Sequence, residues 1–300
     1  MQRGICSRRS SIREHNGGMT SPGLIGIVNI TDDSFSDGGR FLDRHAAISH
    51  ADNLLEAGAD VIDLGAVASN PDSIRIPEEL EIERLAPVIS HLHARGALVS
   101  VDAFRPGAQT YALERGVAFL NDIHGFPHEI IYPALAASSC RLIAMHSLHG
   151  PNHITRADIP VPDVVDAIIR FFEERLAVLA RAGIARQRMI VDPGMGFFLG
   201  SNPHASFAAL AGIDRIKRAL DLPLLVSVSR KSFLRHITGR TDATQVGAAT
   251  LAAEIYAALG GADFIRTHDV AALTDAMKVL RAAQSAEVTG SQNTPAAPSR

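Results

Sequence analysis

No apolar run in this 300-residue chain approaches the roughly 18 consecutive residues that a membrane-spanning helix needs, so no bilayer contact is expected. Arg3, Arg8, Arg9 and Arg13 make the start of the chain basic, but no apolar stretch follows them, and a secretory signal is not expected. Cysteine is scarce. Cys6 and Cys140 have neither a partner pattern nor metal-ligand spacing, which argues against a disulfide framework or a zinc site and for a reducing, cytoplasmic setting. Charge of one sign is also lacking: 29 Lys and Arg stand against 32 Asp and Glu, a net charge of −3. A general nucleic-acid binder would carry a basic excess. No Gly-x-Gly-x-x-Gly opens a helix after the first apolar run, which weakens a dinucleotide-binding reading.

What is present is alternation. Short apolar runs at 24–28, 61–64, 98–101, 118–120, 142–145, 189–191, 224–228 and 264–266 are separated mostly by helical patterns at 46–56, 77–93, 107–115, 164–182, 206–219, 248–259 and 272–284. Glycines at 58, 96, 116, 183 and 260 stand where helices stop. Eight βα units in one chain predict a single α/β domain, a (β/α)₈ TIM barrel, with a doubly wound open sheet as the alternative. The expected organisation is a flexible leader at 1–22, the barrel at 23–284 and a disordered Ser/Thr/Ala/Pro-rich tail at 285–300.

Several apolar runs end in a polar residue: Asn29, Asp102, Asn121 and Asp192. A lone Asp at a strand end is most simply a helix N-cap. Several converging on one barrel mouth make instead a hydrogen-bonding floor for a neutral heterocycle, because carboxylates accept from adjacent N–H groups and an Asn amide both donates and accepts. Ser229-Arg230-Lys231-Ser232 and Arg266-Thr267-His268 follow the last two runs, where barrels hold anions. Arg230 is expected to point away, into a structural ion pair. His146 ends a run too and reads as structural. Asn29 offers Mg²⁺ one oxygen beside a diphosphate; with no carboxylate cage in the sequence, the metal would arrive with substrate.

Together these residues resemble dihydropteroate synthase. The resemblance is ordered and covers most of 24–283. It is carried by 26–39, by Ala59-Asp60-Val61-Ile62-Asp63-Leu64-Gly65, and by Val101-Asp102, Asn121-Asp122, Met145-His146, Asp192-Pro193-Gly194, Ser229–Ser232 and Arg266–Asp269. It implies a cytoplasmic, homodimeric transferase of an alkyl or aryl group. Such an enzyme joins 6-hydroxymethyl-7,8-dihydropterin diphosphate to p-aminobenzoate, giving 7,8-dihydropteroate. Asp102, Asn121, Asp192, Met145 and Lys231 would hold the pterin. Asn29, Arg266 and His268 would hold the pyrophosphate, with Mg²⁺ at Asn29. Lys231, Arg266 and His268 would serve catalysis.

The chain departs from the family where the second substrate binds. The family's second loop reads Gly-Glu-Ser-Thr-Arg-Pro-Gly, and here it is Ala66-Val67-Ala68-Ser69-Asn70-Pro71-Asp72. Ser227 replaces a pocket glycine, and Gly196-Phe197-Phe198-Leu199 brings a second Phe. These departures resemble the mobile, sulfonamide-resistant Sul group. They make Phe35, Ser69, Asn70, Pro71, Phe197, Phe198 and Ser227 the candidates for telling p-aminobenzoate from a sulfonamide, with Phe197 the preferred one of the adjacent pair. The alternative is a pterin-binding paralogue with weak or no synthase activity, its second loop impaired at Ser69 and Asn70. A methyltetrahydrofolate methyltransferase is a third reading, disfavoured by the two basic clusters.

Overall fold

The computed structural model describes residues 21–31, 40–67, 76–148 and 158–291. Its elements, in order, are β1 (Gly23–Asn29), α1 (Arg40–Glu56), β2 (Val61–Gly65), α2 (Glu78–Ala94), β3 (Leu98–Asp102), α3 (Pro106–Glu114), β4 (Phe119–Asp122), α4 (Tyr132–Ala137), β5 (Arg141–Met145), α5 (Val164–Arg181), β6 (Met189–Asp192), α6 (Pro203–Ala211), α7 (Ile213–Leu220), β7 (Leu225–Val226), α8 (Ser232–Thr238), α9 (Gly247–Leu259), β8 (Phe264–Thr267) and α10 (Val270–Ser291).

Every strand pair is parallel, and the sheet runs β6-β5-β4-β3-β2-β1-β8-β7. One bridge, Val191 to Leu224, joins its two ends. The expected eight-stranded barrel is therefore the fold.

Strand periodicity explains how the barrel is filled. Leu24, Val28, Ile62, Leu64, Val99, Val101, Leu142, Ala144 and Ile265 point outward and join the helices in the main apolar core. The alternate positions point inward. Their lower layer is apolar and separate: Ile25, Val61, Phe119, Ile143, Ile190, Leu225 and Phe264. Arg141 closes its base, its guanidinium 5.4 Å from the Phe119 ring centroid and 5.3 Å from that of Phe264. Two residues further along, the inward set becomes polar on most strands, with Asp63, Asn121, Asp192, Ser227 and Arg266, and stays apolar at Ile27 of β1 and Met145 of β5; Asp102, Asn29 and His268 lie beyond. The site is thus the upper layer of the barrel's own interior.

Four expectations need correction. The seventh strand, expected over 224–228, is only Leu225–Val226; Pro223 lacks the N–H a ladder needs, and Lys231 N–H turns back onto the Val228 carbonyl. The helix expected over 206–219 is two helices divided at Gly212, where a Cβ would lie 2.5 Å from Val165 Cγ2; α5 packs too closely there for any side chain. Residues 285–291, expected to open the disordered tail, are instead the end of α10, which runs to Ser291; residues 292–300 lie outside the described residues. Arg230 is exposed, at φ 58°, and among the described residues it has no ion pair. Of the expected leader, 1–20 lies outside the described residues.

Candidate active site

The strand ends surround a cavity of about 250 Å³. Of the residues singled out from the sequence, Asn29, Asp102, Asn121, Met145, Asp192, Phe198, Ser227, Lys231, Arg266 and His268 all line it. Phe197 does not: the 3₁₀ turn Gly196–Leu199 directs Phe198 inward, and Phe197 packs against Phe198 with centroids 4.0 Å apart. Of the adjacent pair, Phe198 and not the preferred Phe197 lines the cavity. Phe35, Ser69, Asn70 and Pro71 lie outside the described residues.

Charge at the floor is organised around Arg266. Its Nε donates to Asp63 Oδ2 at 2.5 Å and its Nη2 to Asp102 Oδ2 at 2.8 Å. Two of the three guanidinium nitrogens are thus engaged inside the barrel, so Arg266 is less a free anion ligand than a clamp on two carboxylates. Burial, with the Asp63 carboxylate adding to it, pushes Asp102 up to about 7 against the pull of Arg266. Asp63 was not among the expected site residues. It was hidden in an apolar run, although period two places it on the inward face between Val61 and Gly65.

Asp192 Oδ1 accepts the Gly194 N–H at 2.8 Å. The turn demands glycine: Gly194 has φ 68°, and a Cβ would lie 2.1 Å from the His146 carbonyl oxygen. Burial raises the Asp192 pKa, opposed chiefly by Lys231. Lys231 Nζ donates to the Met195 carbonyl at 3.2 Å and sits 5.2 Å over the Phe198 ring. Burial brings Lys231 down to about 8, resisted by Asp192. Asn121 is buried, and its Oδ1 has no hydrogen-bond partner among the described residues. An unpaired buried acceptor facing a cavity needs a ligand N–H or a water. Met145, Ile123 and Phe198, backed by Phe104 and Phe197, form a small apolar cluster beside these polar groups.

His268 lies across the mouth, its N–H and its Nδ1 both on Ser229 Oγ, at 3.2 and 3.0 Å. Burial lowers it to about 3, reinforced by Arg230, Arg266, His50 and Lys231. Ser229 and Ile123 are further lining residues that sequence reasoning missed; Ser229 lay unnoticed inside the basic motif. His146, read from the sequence as structural, is not among the lining residues: its Nδ1 is 3.2 Å from the Pro193 carbonyl oxygen, and its ring meets Phe171 edge-on.

A heterocycle rich in N–H groups suits the carboxylate and amide floor, and an anion suits the Lys231 and His268 side. Among the described residues no three acidic, His or Cys groups form a metal cage. Asn29 sits at the rim, its side chain without a hydrogen bond among the described residues, so its amide oxygen suits a hard cation that takes its remaining ligands from substrate and water.

Comparisons with known proteins agree. The family profile described as pterin binding enzyme matches residues 25–268. Dihydropteroate synthase type-2 from Escherichia coli is 54% identical over 259 residues, 86% of this chain and 95% of that protein. The Xanthomonas albilineans dihydropteroate synthase structure with 4-aminobenzoic acid superposes with TM-score 0.80 at 36% identity, covering 89% of this chain and 94% of that one. The same enzyme in complex with 7,8-dihydropteroate gives TM-score 0.78 at 35% identity, covering 89% and 95%. A match over most of the barrel, together with the polar layer at its mouth, shows that the chain belongs to the dihydropteroate synthases among the pterin binding enzymes.

Proposed function

We propose that this chain condenses 6-hydroxymethyl-7,8-dihydropterin diphosphate with p-aminobenzoate, releasing pyrophosphate and forming 7,8-dihydropteroate, and that it does so in the presence of sulfonamides. One observation carries the reading: carboxylate and amide acceptors, Asp102, Asn121 and Asp192, line the same cavity as Lys231 and His268. The pterin ring would donate its N–H groups to that floor, with Met145 and Ile123 against its apolar edge. As the carbon–oxygen bond to diphosphate breaks, positive charge develops on the pterin methylene, and the buried carboxylates stabilise it. His268 and Lys231 would hold the departing anion. Arg266 keeps Asp63 and Asp102 in place and offers the anion at most its remaining nitrogen. The arylamine then attacks the freed carbon, a step that depends on position more than on a base. Mg²⁺, held by Asn29 and the diphosphate, would neutralise charge on the leaving group.

Drug insensitivity is supported by Phe198. Its ring narrows the cavity beside Lys231, where a sulfonamide substituent would extend beyond the volume shared with p-aminobenzoate. We also propose a cytoplasmic homodimer. Tyr256 and Leu259 on α9 and Ile237 on α8 are large apolar side chains left exposed, and a second copy of this chain would cover them; light scattering tests it. A coupled pyrophosphate-release assay with p-aminobenzoate, repeated with sulfamethoxazole, tests the activity. Turnover that resists the drug supports the whole reading. Turnover that the drug abolishes leaves the synthase and removes the insensitivity. Pterin binding without turnover makes the chain a paralogue.

A further inference from the structure

We propose that Ser229 is a positioning residue that fixes the tautomer of His268, leaving Nε2–H as the donor presented to the diphosphate. The inference rests on reading His268 as a pyrophosphate ligand, but its first part concerns the free protein alone.

Hydrogen-bond counting carries the argument. A serine hydroxyl has one proton to give and two lone pairs. One lone pair of Ser229 Oγ accepts the backbone N–H of His268 at 3.2 Å, and the ring Nδ1 lies 3.0 Å from the same oxygen. Among the described residues, Ser229 Oγ has no other partner. If Nδ1 carried the proton, Oγ would accept twice and its own O–H would have no protein acceptor among the described residues, in a residue that is only 5% exposed at the cavity wall. An unmade buried donor is disfavoured. Donation from Oγ to Nδ1 satisfies every group and puts the ring proton on Nε2.

The surroundings act in the same direction. His268 follows β8, while Ser229 follows β7, so the pair spans two neighbouring barrel units. The charged and titratable groups acting on the ring are Arg230 and Lys231 beside Ser229, Arg266 two residues before it on β8, and His50 on α1. All disfavour an imidazolium. A neutral ring contributes to the anion only through the N–H it presents, so the choice of nitrogen matters more here than for a charged histidine. The His268 backbone N–H anchors the hydroxyl itself, which keeps Oγ from rotating away.

The test is ¹⁵N NMR of the histidine rings in the full-length protein, with the His268 signals assigned by their loss in His268→Asn. The expected wild-type result is a single Nε2–H tautomer near neutral pH. Ser229→Ala is expected to give a mixture of tautomers or an Nδ1–H ring. A wild-type spectrum showing Nδ1–H, or an unchanged pure Nε2–H ring in Ser229→Ala, overturns the proposal. If Ser229→Ala does not fold, the wild-type spectrum alone still decides the donor assignment.

Titration of inorganic pyrophosphate then separates the two layers. His268→Ala is expected to weaken binding by about tenfold, and Ser229→Ala by the reciprocal of the Nε2–H fraction read from its spectrum, about twofold for an even mixture. The double variant should be no weaker than His268→Ala, because Ser229 acts through that ring. Fully additive losses would overturn the positioning role. Unchanged pyrophosphate affinity in His268→Ala, with the Nε2–H tautomer intact, would instead overturn the ligand reading while leaving the Ser229 lock in place.

Discussion

Asp63 and Asp192 are both buried carboxylates on the inward face, yet their partners give them different duties. Asp63 is paired with Arg266 and fully buried, which makes it part of the framework. Asp192 has one oxygen on the Gly194 N–H, and its other oxygen has no protein donor among the described residues. That oxygen is free for a ligand. Asp192→Asn should therefore weaken a pterin analogue by about 1.5–3 kcal/mol, the range for a hydrogen bond to a charged group, measured by calorimetry. Unchanged affinity would reduce Asp192 to a turn former for Gly194. Phe198 is the other residue whose position decides something. Shortening it to Leu should lower the sulfamethoxazole inhibition constant by at least about tenfold, roughly 1.4 kcal/mol, with a smaller change in the p-aminobenzoate KM. Phe197→Leu should do less, because Phe197 packs against Phe198 and does not itself line the cavity. Equal drug insensitivity of both variants and the parent would end the steric account.

At the scale of elements, α2 gathers the chain around the mouth. Arg84 Nη1 donates to the Ile30 and Ala66 carbonyls, at 3.5 and 3.4 Å, just past the ends of β1 and β2. One turn earlier, Glu81 accepts from Arg105 Nε at 2.8 Å, and Arg105 Nη1 holds the Ile76 carbonyl at 2.7 Å. Burial raises the Glu81 pKa, and Arg105 opposes the rise. Removing one partner of such a pair strands the other. Glu81→Ala should lower stability by about 2–3 kcal/mol, because Arg105 keeps some access to water. Urea unfolding measures it, and a loss below about 0.5 kcal/mol would class the pair with surface bridges. This clamp was invisible in the sequence, where Glu81 reads as one more exposed helix charge. The barrel was legible because each strand is a local pattern: a short apolar run ending in a polar residue. The parts that were not legible depend on distant neighbours. Gly212, where the expected helix divides, admits no side chain because Val165 of α5 lies against it. The inward member of the Phe197–Phe198 pair depends on a 3₁₀ turn that rotates successive side chains by about a third of a turn. The short α8 was hidden behind a basic motif that drew attention to its charges.

Across the whole molecule, buried groups that stay neutral set how stability depends on pH. Burial holds His146 down at about 4, from an ordinary 6.5, and His268 behaves alike. Between those values the unfolded chain binds protons that the folded protein refuses, so stability rises with pH through that window and gains nothing above it. Glu254, on α9 behind β8, is shifted the opposite way. Burial lifts it from 4.5 to about 8, with a hydrogen bond from Thr267 opposing the rise, and its Oε1 has no partner among the described residues. From 4.5 to about 8 the folded protein keeps a proton that the unfolded chain has released, so this group makes stability fall as pH rises. The two effects oppose each other in mildly acidic solution; near neutrality and above, the histidine contribution is constant and the carboxyl contribution continues. Glu254→Gln mimics the neutral acid and removes the proton linkage, while Asp102 and Asp122 titrate alike in both proteins and cancel from the comparison. The variant should match the parent near about pH 5 and exceed it increasingly toward about pH 8, by at most about 1.4 kcal/mol per pH unit, with the parent's decline ceasing once Glu254 ionises in the folded state. Thermal unfolding of the two proteins across that range measures the gap. A gap that stays constant would mean that Glu254 is already ionised in the folded protein, and that burial behind β8 does not hold its proton.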